Sequence, residues 1–386
     1  MGDPVDLVLS EEQELLARTA REFVSGRSSL RRVRQLRDSL DSDGFSRALW
    51  GEMAALGWLG VIIPEVYGGA GLGYLDLMVV MEELGRGLMP EPVLSTVLLG
   101  ANTILLGGSE EQKRAHLPDV AGGERLLAVA SQESGSRYAI DHVEARAKRV
   151  DSGWVLSGEK TQVLDGQVAD HLVLSARTAG GARDPEGVTL FLVRRDTPGV
   201  VTERQVRIDG RNAAVVRFDD VRVDAEQVLG DVDQGGALLA RVVDRATIAL
   251  SAEMLGSAST AFEMTTEYLK TRVQFGVPIG SFQALKHRAA KIYVEIELAR
   301  SAVMDAHRAL DEGRDDAGVA RAASIAKARC SDTLALVANE GVQMHGGIGM
   351  TDEHDIGLFL KRARVTEMTF GDAAHHRDRL ARLDGY

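Results

Sequence analysis

The chain is 386 residues long, with 45% hydrophobic and 26% charged residues, an ordinary globular composition. On a prior of roughly 150 residues per domain it holds two or three domains. Asp and Glu outnumber Lys and Arg, 57 to 45, and the net charge of −12 argues against a phosphate-backbone binder. No apolar run reaches the roughly 18 residues that span a membrane, and the single cysteine, Cys330, rules out an internal disulfide or a cysteine metal cluster. The opening MGDPVDLVLSEEQELL has no basic flank before an apolar core, so no secretory signal is expected. Those limits leave a cytoplasmic, multi-domain protein acting on small molecules or on a partner protein, with no metal, nucleic acid or membrane involved.

The first stretch, residues 1–125, reads as helices. Ser10 followed by Gln13, Leu15 and Leu16 is a capping-box start. Leu75, Met78, Val79, Glu82 and Glu83 keep a 3.6-residue period with a solvated face, and Gly85 sits where a helix stop is expected. Arg27, Arg31, Arg32, Arg34 and Arg37 read as a solvated basic face. From 126 to 232 the period changes. Trp154–Leu156, Leu172–Leu174, Leu190–Val193 and Val215–Phe218 are short apolar or alternating runs broken by Gly, Asp and Pro, the pattern of a compact β domain. No GxGxxG follows a strand, so a Rossmann unit is not indicated. Residues 233–386 return to helix, with Leu239, Val242, Val243, Ala246, Ala249 and Leu250 on one stripe and an Ala-rich stretch from Ala317 to Ala328. Four or five helices are expected there, enough for a bundle. The fold class is therefore multi-domain α and β: an N-terminal helical domain, a middle β-barrel or sandwich domain and a C-terminal helical bundle.

Two stretches are odd for plain helix packing. In Thr271–Gln283 a long helix ends at a glycine, Pro278 follows, and a new helix starts near Ser281–Gln283. Its arginine is a donor fork suited to phosphate, with an aromatic beside it. In Gln343–Gly349 the glycines let a ligand approach the backbone closely. Together these residues resemble the acyl-CoA dehydrogenase family. There, an R-x-x-F-G element with a following Gln holds the adenosine diphosphate part of FAD, which implies cofactor binding by Arg272, Gln274, Phe275, Gly276 and Gln283. A Q-x-x-G-G-x-G element grips the same FAD and matches Gln343, Gly346, Gly347 and Gly349. Both elements reach across a dimer interface in the family. Glu82–Arg86, Gly158–Lys160 and Phe218–Val221 also resemble family motifs, so the resemblance spans nearly the whole chain.

The resemblance implies α,β-dehydrogenation of an acyl-CoA thioester: a carboxylate takes the α-proton and the β-hydride goes to flavin. It implies an electron-transfer flavoprotein as acceptor and a homo-oligomer or a heterotetramer with a second family member. Yet the usual base position, counted from Arg362, falls on Gly371, and the alternative helix position falls on Ala246. Asp372, one residue past the first site, is a weak candidate base, with a loop or capping role as its plainer reading. Asp244 lies on the wrong side of its helix, and Glu253 reads as an ion-pair partner. The family's T-E segment reads Ser131-Gln132-Glu133, making Gln132 the implied flavin contact, and its W-I-T strand reads Gln162-Val163-Leu164. His375–His376 read as surface or helix-end residues, Cys330 as a small buried one, and His345 as shaping the glycine element. Two readings stay open: a complete enzyme with a base such as Asp372, or the base-lacking partner of a heteromeric enzyme on bulky or steroid-derived thioesters. A flavin-dependent relative acting on a non-CoA substrate, or a purely structural subunit, is the alternative.

Overall fold

A computed structural model describes residues 8–386, so the N-terminal segment before them, where part of the targeting expectation rests, lies outside it. The helices of the first third are α1 (Glu11–Arg27), α2 (Leu30–Ser39), α3 (Arg47–Ala55), α4 (Tyr74–Arg86), α5 (Asn102–Gly107) and α6 (Glu110–Ala121), with a π-helical stretch, Leu94–Ala101, leading into α5. The strands are β1 (Leu127–Ala130), β2 (Arg146–Val150), β3 (Gly153–Leu164), β4 (His171–Arg177), β5 (Val188–Arg194), β6 (Val200–Val206), β7 (Asn212–Asp224) and β8 (Val228–Leu229). After them come α7 (Gly235–Thr271), the short pair β9 (Val273–Gln274) and β10 (Val277–Pro278), then α8 (Gln283–Asp311), α9 (Asp316–His345), α10 (Ile356–Met368) and α11 (Ala373–Leu383).

By its internal contacts the chain forms two compact units. One comprises residues up to 35, 73–89 and 247–386; the other comprises 36–72 and 90–246. In the second unit, the sheet runs β6-β7-β3-β2-β4-β5-β8, with β1 parallel to β4. Trp154, Leu156, Phe191, Val193, Val216 and Phe218 bury one apolar cluster between its strands. The four apolar runs of the sequence are β3, β4, β5 and β7. The polar strands β2 and β6 carry no such run.

The first unit is helical. α1 starts at the expected capping box: the Ser10 hydroxyl accepts the Gln13 N–H, and the Gln13 side chain accepts the Ser10 N–H. α4 does not stop at Gly85 but runs on to Arg86. A Cβ at Gly85 would stand 2.0 Å from the Glu253 carbonyl, so this glycine permits a close helix–helix approach rather than a stop. Nor is the Glu82–Glu83 face solvated. Glu83 is buried and accepts from Arg21 at 2.6 Å, and Glu82 accepts from Arg300 at 2.8 Å. Within the basic run, Arg34 is likewise committed, donating to Asp355 at 2.9 Å. The first turn of α4 is closed from far along the chain: the Asp311 carboxylate accepts the Tyr74 and Leu75 N–H groups at 2.6 and 2.9 Å.

Candidate functional site

The two glycine-bearing elements occupy the ends of α7 and α9. α7 ends at Thr271, not at a glycine. The next residues form a hairpin, with Gln274 opposite Val277 and a two-residue turn at Phe275 and Gly276. Both turn residues have positive φ, 53° and 81°, the primed-turn geometry that matches strand twist. The local reading failed because an F-G pair also suits a helix stop. The turn leaves Phe275 93% exposed, edge-on to Phe282. Arg272 is exposed, and its guanidinium has no partner among the described residues. The Gln274 amide folds back onto the Val273 carbonyl at 2.8 Å, while Gln283 opens α8 in the exposed face.

At the other element, Gln343 is exposed in the last turn of α9. Gly346 follows at φ 65°, ψ −139°, a conformation essentially restricted to glycine. A Cβ at Gly346 or Gly347 would meet nothing within 4 Å, whereas one at Gly349 would stand 2.6 Å from the Val342 carbonyl. The first two glycines therefore keep open space and the third serves packing. His345 is buried between them and the helix. Its Nδ1–H donates to the Gly341 carbonyl at 2.7 Å, and its ring lies 4.5 Å from Tyr268 and 4.2 Å from His354. Tyr268 is one turn before Arg272, so this stack brings the ends of α7 and α9 side by side. An unpartnered guanidinium, exposed amides and a glycine turn with room above it suit a phosphate-bearing nucleotide such as FAD.

The segment that holds the family's usual base position is closed by contrast. Gly371 has φ 114°, and a Cβ there would lie 2.5 Å from His375 Cδ2 and 2.9 Å from His376 Nε2. Asp372 is the N-cap of α11, its carboxylate accepting the His375 N–H at 2.8 Å. His376 is not a surface residue. It is 2% exposed, and its Nε2–H donates to the Phe370 carbonyl at 3.1 Å. Burial, reinforced by the nearby Lys327 charge, pushes it down to about 3, so it is neutral. Lys327, which sequence reasoning passed over, is 0% exposed. Its ammonium donates to the Gly371 carbonyl at 2.7 Å, the Glu367 carbonyl at 3.0 Å and the Ser331 hydroxyl at 3.1 Å. Under this segment Arg362 donates twice to Glu253, at 3.0 and 2.8 Å, both side chains being almost fully buried. Ala246 and Asp244 are buried, and burial pushes the Cys330 thiol up to about 12, which makes it inert.

In the sheet unit, Gln132 is exposed and its carbonyl accepts the Thr161 N–H at 2.8 Å, which joins it to the strand of Gln162 and Leu164. Gln162 sits at φ 53° where the β3–β7 register shifts, its N–H donating to Gln205 at 2.9 Å. Beside them the G-x-K and T-E motifs meet: Lys160, 0% exposed, donates to Glu133 at 2.6 Å and to Ser175 at 3.0 Å. Glu133 also accepts the Glu144 and Ala145 N–H groups at 2.7 and 3.0 Å. Burial pushes Lys160 down to about 8 despite Glu133. Burial would push Glu133 up, but the Lys160 charge and the donated hydrogen bonds win and hold its carboxyl below the usual range. Lys160 and Glu133 thus form a rigid seat beneath the Gln132 segment.

Sequence profiles of the acyl-CoA dehydrogenase N-terminal, middle and C-terminal domains match residues 10–124, 127–221 and 233–383. The acyl-CoA dehydrogenase IpdE2 of Mycolicibacterium smegmatis is 33% identical, over 97% of this chain and 99% of its own. Among solved structures, a variant of the Tcur3481-Tcur3483 steroid ACAD superposes with a TM-score of 0.86 and 34% identity, covering 97% of this chain and 98% of that one. The ChsE4-ChsE5 complex from Mycobacterium tuberculosis gives a TM-score of 0.88 at 28% identity, covering 99% of this chain and 100% of that one. No helix among the described residues is long and apolar enough to cross a membrane. With all three domains matched along almost its whole length, the chain belongs to the acyl-CoA dehydrogenase family of FAD-dependent oxidoreductases.

Proposed function

We propose that this chain is the supporting subunit of a heteromeric acyl-CoA dehydrogenase: it completes a flavin site and leaves proton abstraction to a second family member. The carrying observation is position 371. A glycine stands there at φ 114°, with His375 and His376 filling the space a side chain would need. Asp372 is spent as a helix cap, and Ala246 offers only a buried methyl. Bound FAD supplies the hydride acceptor. This chain's part is to hold it: Arg272 takes a phosphate through its planar fork, Gln283 and Gln343 present amides, and Gly346–Gly347 admit the nucleotide to the backbone. Gln274 and Phe275 complete the contacts that this reading assigns to that flavin, whereas Gln132 belongs to this chain's own half-site. The exposed apolar residues Phe275, Tyr293, Val294 and Leu298 supply the surface for the second subunit. The relatives named for a ChsE4-ChsE5 complex and a steroid ACAD support a paired assembly and a bulky CoA thioester as substrate. An electron-transfer flavoprotein is the acceptor this reading implies.

Expression of the chain alone and beside a family member that carries the glutamate tests the reading. Alone, it is expected to be colourless and silent in dye-linked acyl-CoA oxidation; the pair should be yellow and active. In the pair, Arg272→Ala should weaken flavin retention by roughly 1.5–3 kcal/mol, somewhat over tenfold, and Arg272→Lys should recover only part. Good turnover by the chain alone overturns the reading, and loss of that turnover in Asp372→Asn with flavin still bound would then identify a shifted base.

A further inference from the structure

A lysine with no exposed surface is costly unless every donor is matched. Lys327 meets that condition: three N–H groups, three acceptors, at Gly371, Glu367 and Ser331. Two of these are backbone carbonyls on either side of the 368–370 turn. The third carbonyl of the turn, Phe370, is held by His376. The ammonium comes from α9, the imidazole from α11, and the segment they grip leaves α10. Burial pushes Lys327 down to about 8, so at neutral pH it is a cation, and the Glu367 and Asp372 carboxylates favour that charge. A helix end can be satisfied by water or by a glycine turn. Here a full charge and a neutral imidazole are committed instead, and the result is a peptide plane fixed on both sides of Gly371. Among the described residues neither group has another hydrogen-bond partner that would explain its burial: the Cys330 thiol beside Lys327 is inert, and the second nitrogen of His376 reaches Ser324 at 3.4 Å.

We propose that Lys327, seconded by His376, is a positioning residue that fixes the backbone of residues 369–372 where that segment borders the acyl-CoA cleft. The cleft-bordering part rests on the family's usual base position falling at Gly371, as the reading above takes it; the clamp itself does not. Hydrogen exchange and thioester binding separate the two. In Lys327→Met, which keeps the length and removes all three donors, amides of residues 369–373 should exchange at least about tenfold faster than in the parent. Those of β3 and β7 should be unchanged. Octanoyl-CoA affinity, measured by calorimetry on the chain with whatever subunit and flavin co-purify, should fall by about tenfold. Lys327→Gln, which keeps one donor, should lie between the two in both readouts, and it stands in should Lys327→Met fail to fold. Unchanged exchange in the 369–373 amides overturns the clamp. Faster exchange with unchanged octanoyl-CoA affinity overturns the positioning role and leaves a structural lysine. A parent protein that exchanges as expected but does not bind octanoyl-CoA sinks the cleft assignment, not the clamp.

Discussion

Glycine does opposite things in two regions of the same helical unit. At Gly346 and Gly347 the missing side chain leaves space that nothing in the chain enters, beside an exposed Arg272 and Gln343. At Gly371 the missing side chain is already replaced by two histidine rings, with a buried lysine holding the carbonyl. The first region is open, which is what the proposed flavin contact needs; the second is filled. A glycine in a motif therefore says little until its surroundings are known, and the difference between these two is the difference between an open turn and a sealed loop.

The contrast can be broken most severely from beneath the sealed loop. Glu253→Ala should cost about 3–5 kcal/mol in chemical denaturation, because it strands the buried Arg362 guanidinium under α10. An effect below 1 kcal/mol would mean that water reaches the pair. Gly371→Glu comes next, at roughly 2–4 kcal/mol, from a left-handed backbone and contact with His375 and His376. Dehydrogenase activity gained by that variant without loss of stability would show that the loop is not sealed. Acid acts on the same region. His376 is neutral when folded and binds a proton near its ordinary value when unfolded, so its contribution is complete above about pH 6.5. It is lost as pH falls toward 3, at about 1.4 kcal/mol per pH unit. His376→Gln should flatten that part of the stability–pH curve, and an unchanged slope would contradict the burial. The smallest effect on stability belongs to the open region. Gly347→Ala should stay within about 0.5 kcal/mol of the parent while lowering flavin content, and a large stability loss would mean the cradle is packed after all.

The open region was legible in the sequence and the sealed one was not. Arg272, Gln343 and the glycines stand in a recognisable order, and exposure is what their polarity suggests. Strands with apolar runs, such as β4 and β5, announced themselves, whereas β6, reading Val-Val-Thr-Glu-Arg-Gln-Val, has alternation too weak to separate from loop. Gly85 misled because its reason is a helix from elsewhere in the chain, which no local pattern contains. His376 misled for the same reason, its partner lying 6 residues away, and Lys327 was passed over, a partner of its ammonium lying 44 residues away. One signal for Lys327 was present: it sits four residues after Ala323 and four before Ser331, on the buried stripe of an Ala-rich helix. A charge placed on that stripe has to find partners.

The carboxylate that closes the first turn of α4 has a consequence in time. Tyr74 waits for Asp311, 237 residues later. At about 5–20 residues per second, synthesis leaves that turn without its cap for on the order of 10–50 seconds. The sheet unit is complete in sequence by 246, well before Asp311 is made, and can form its own core during that interval. The helical unit cannot: its three stretches are first available together only when the C-terminal helices have left the ribosome. Order of birth therefore favours the sheet as the part that folds while the helices are still waiting for one another.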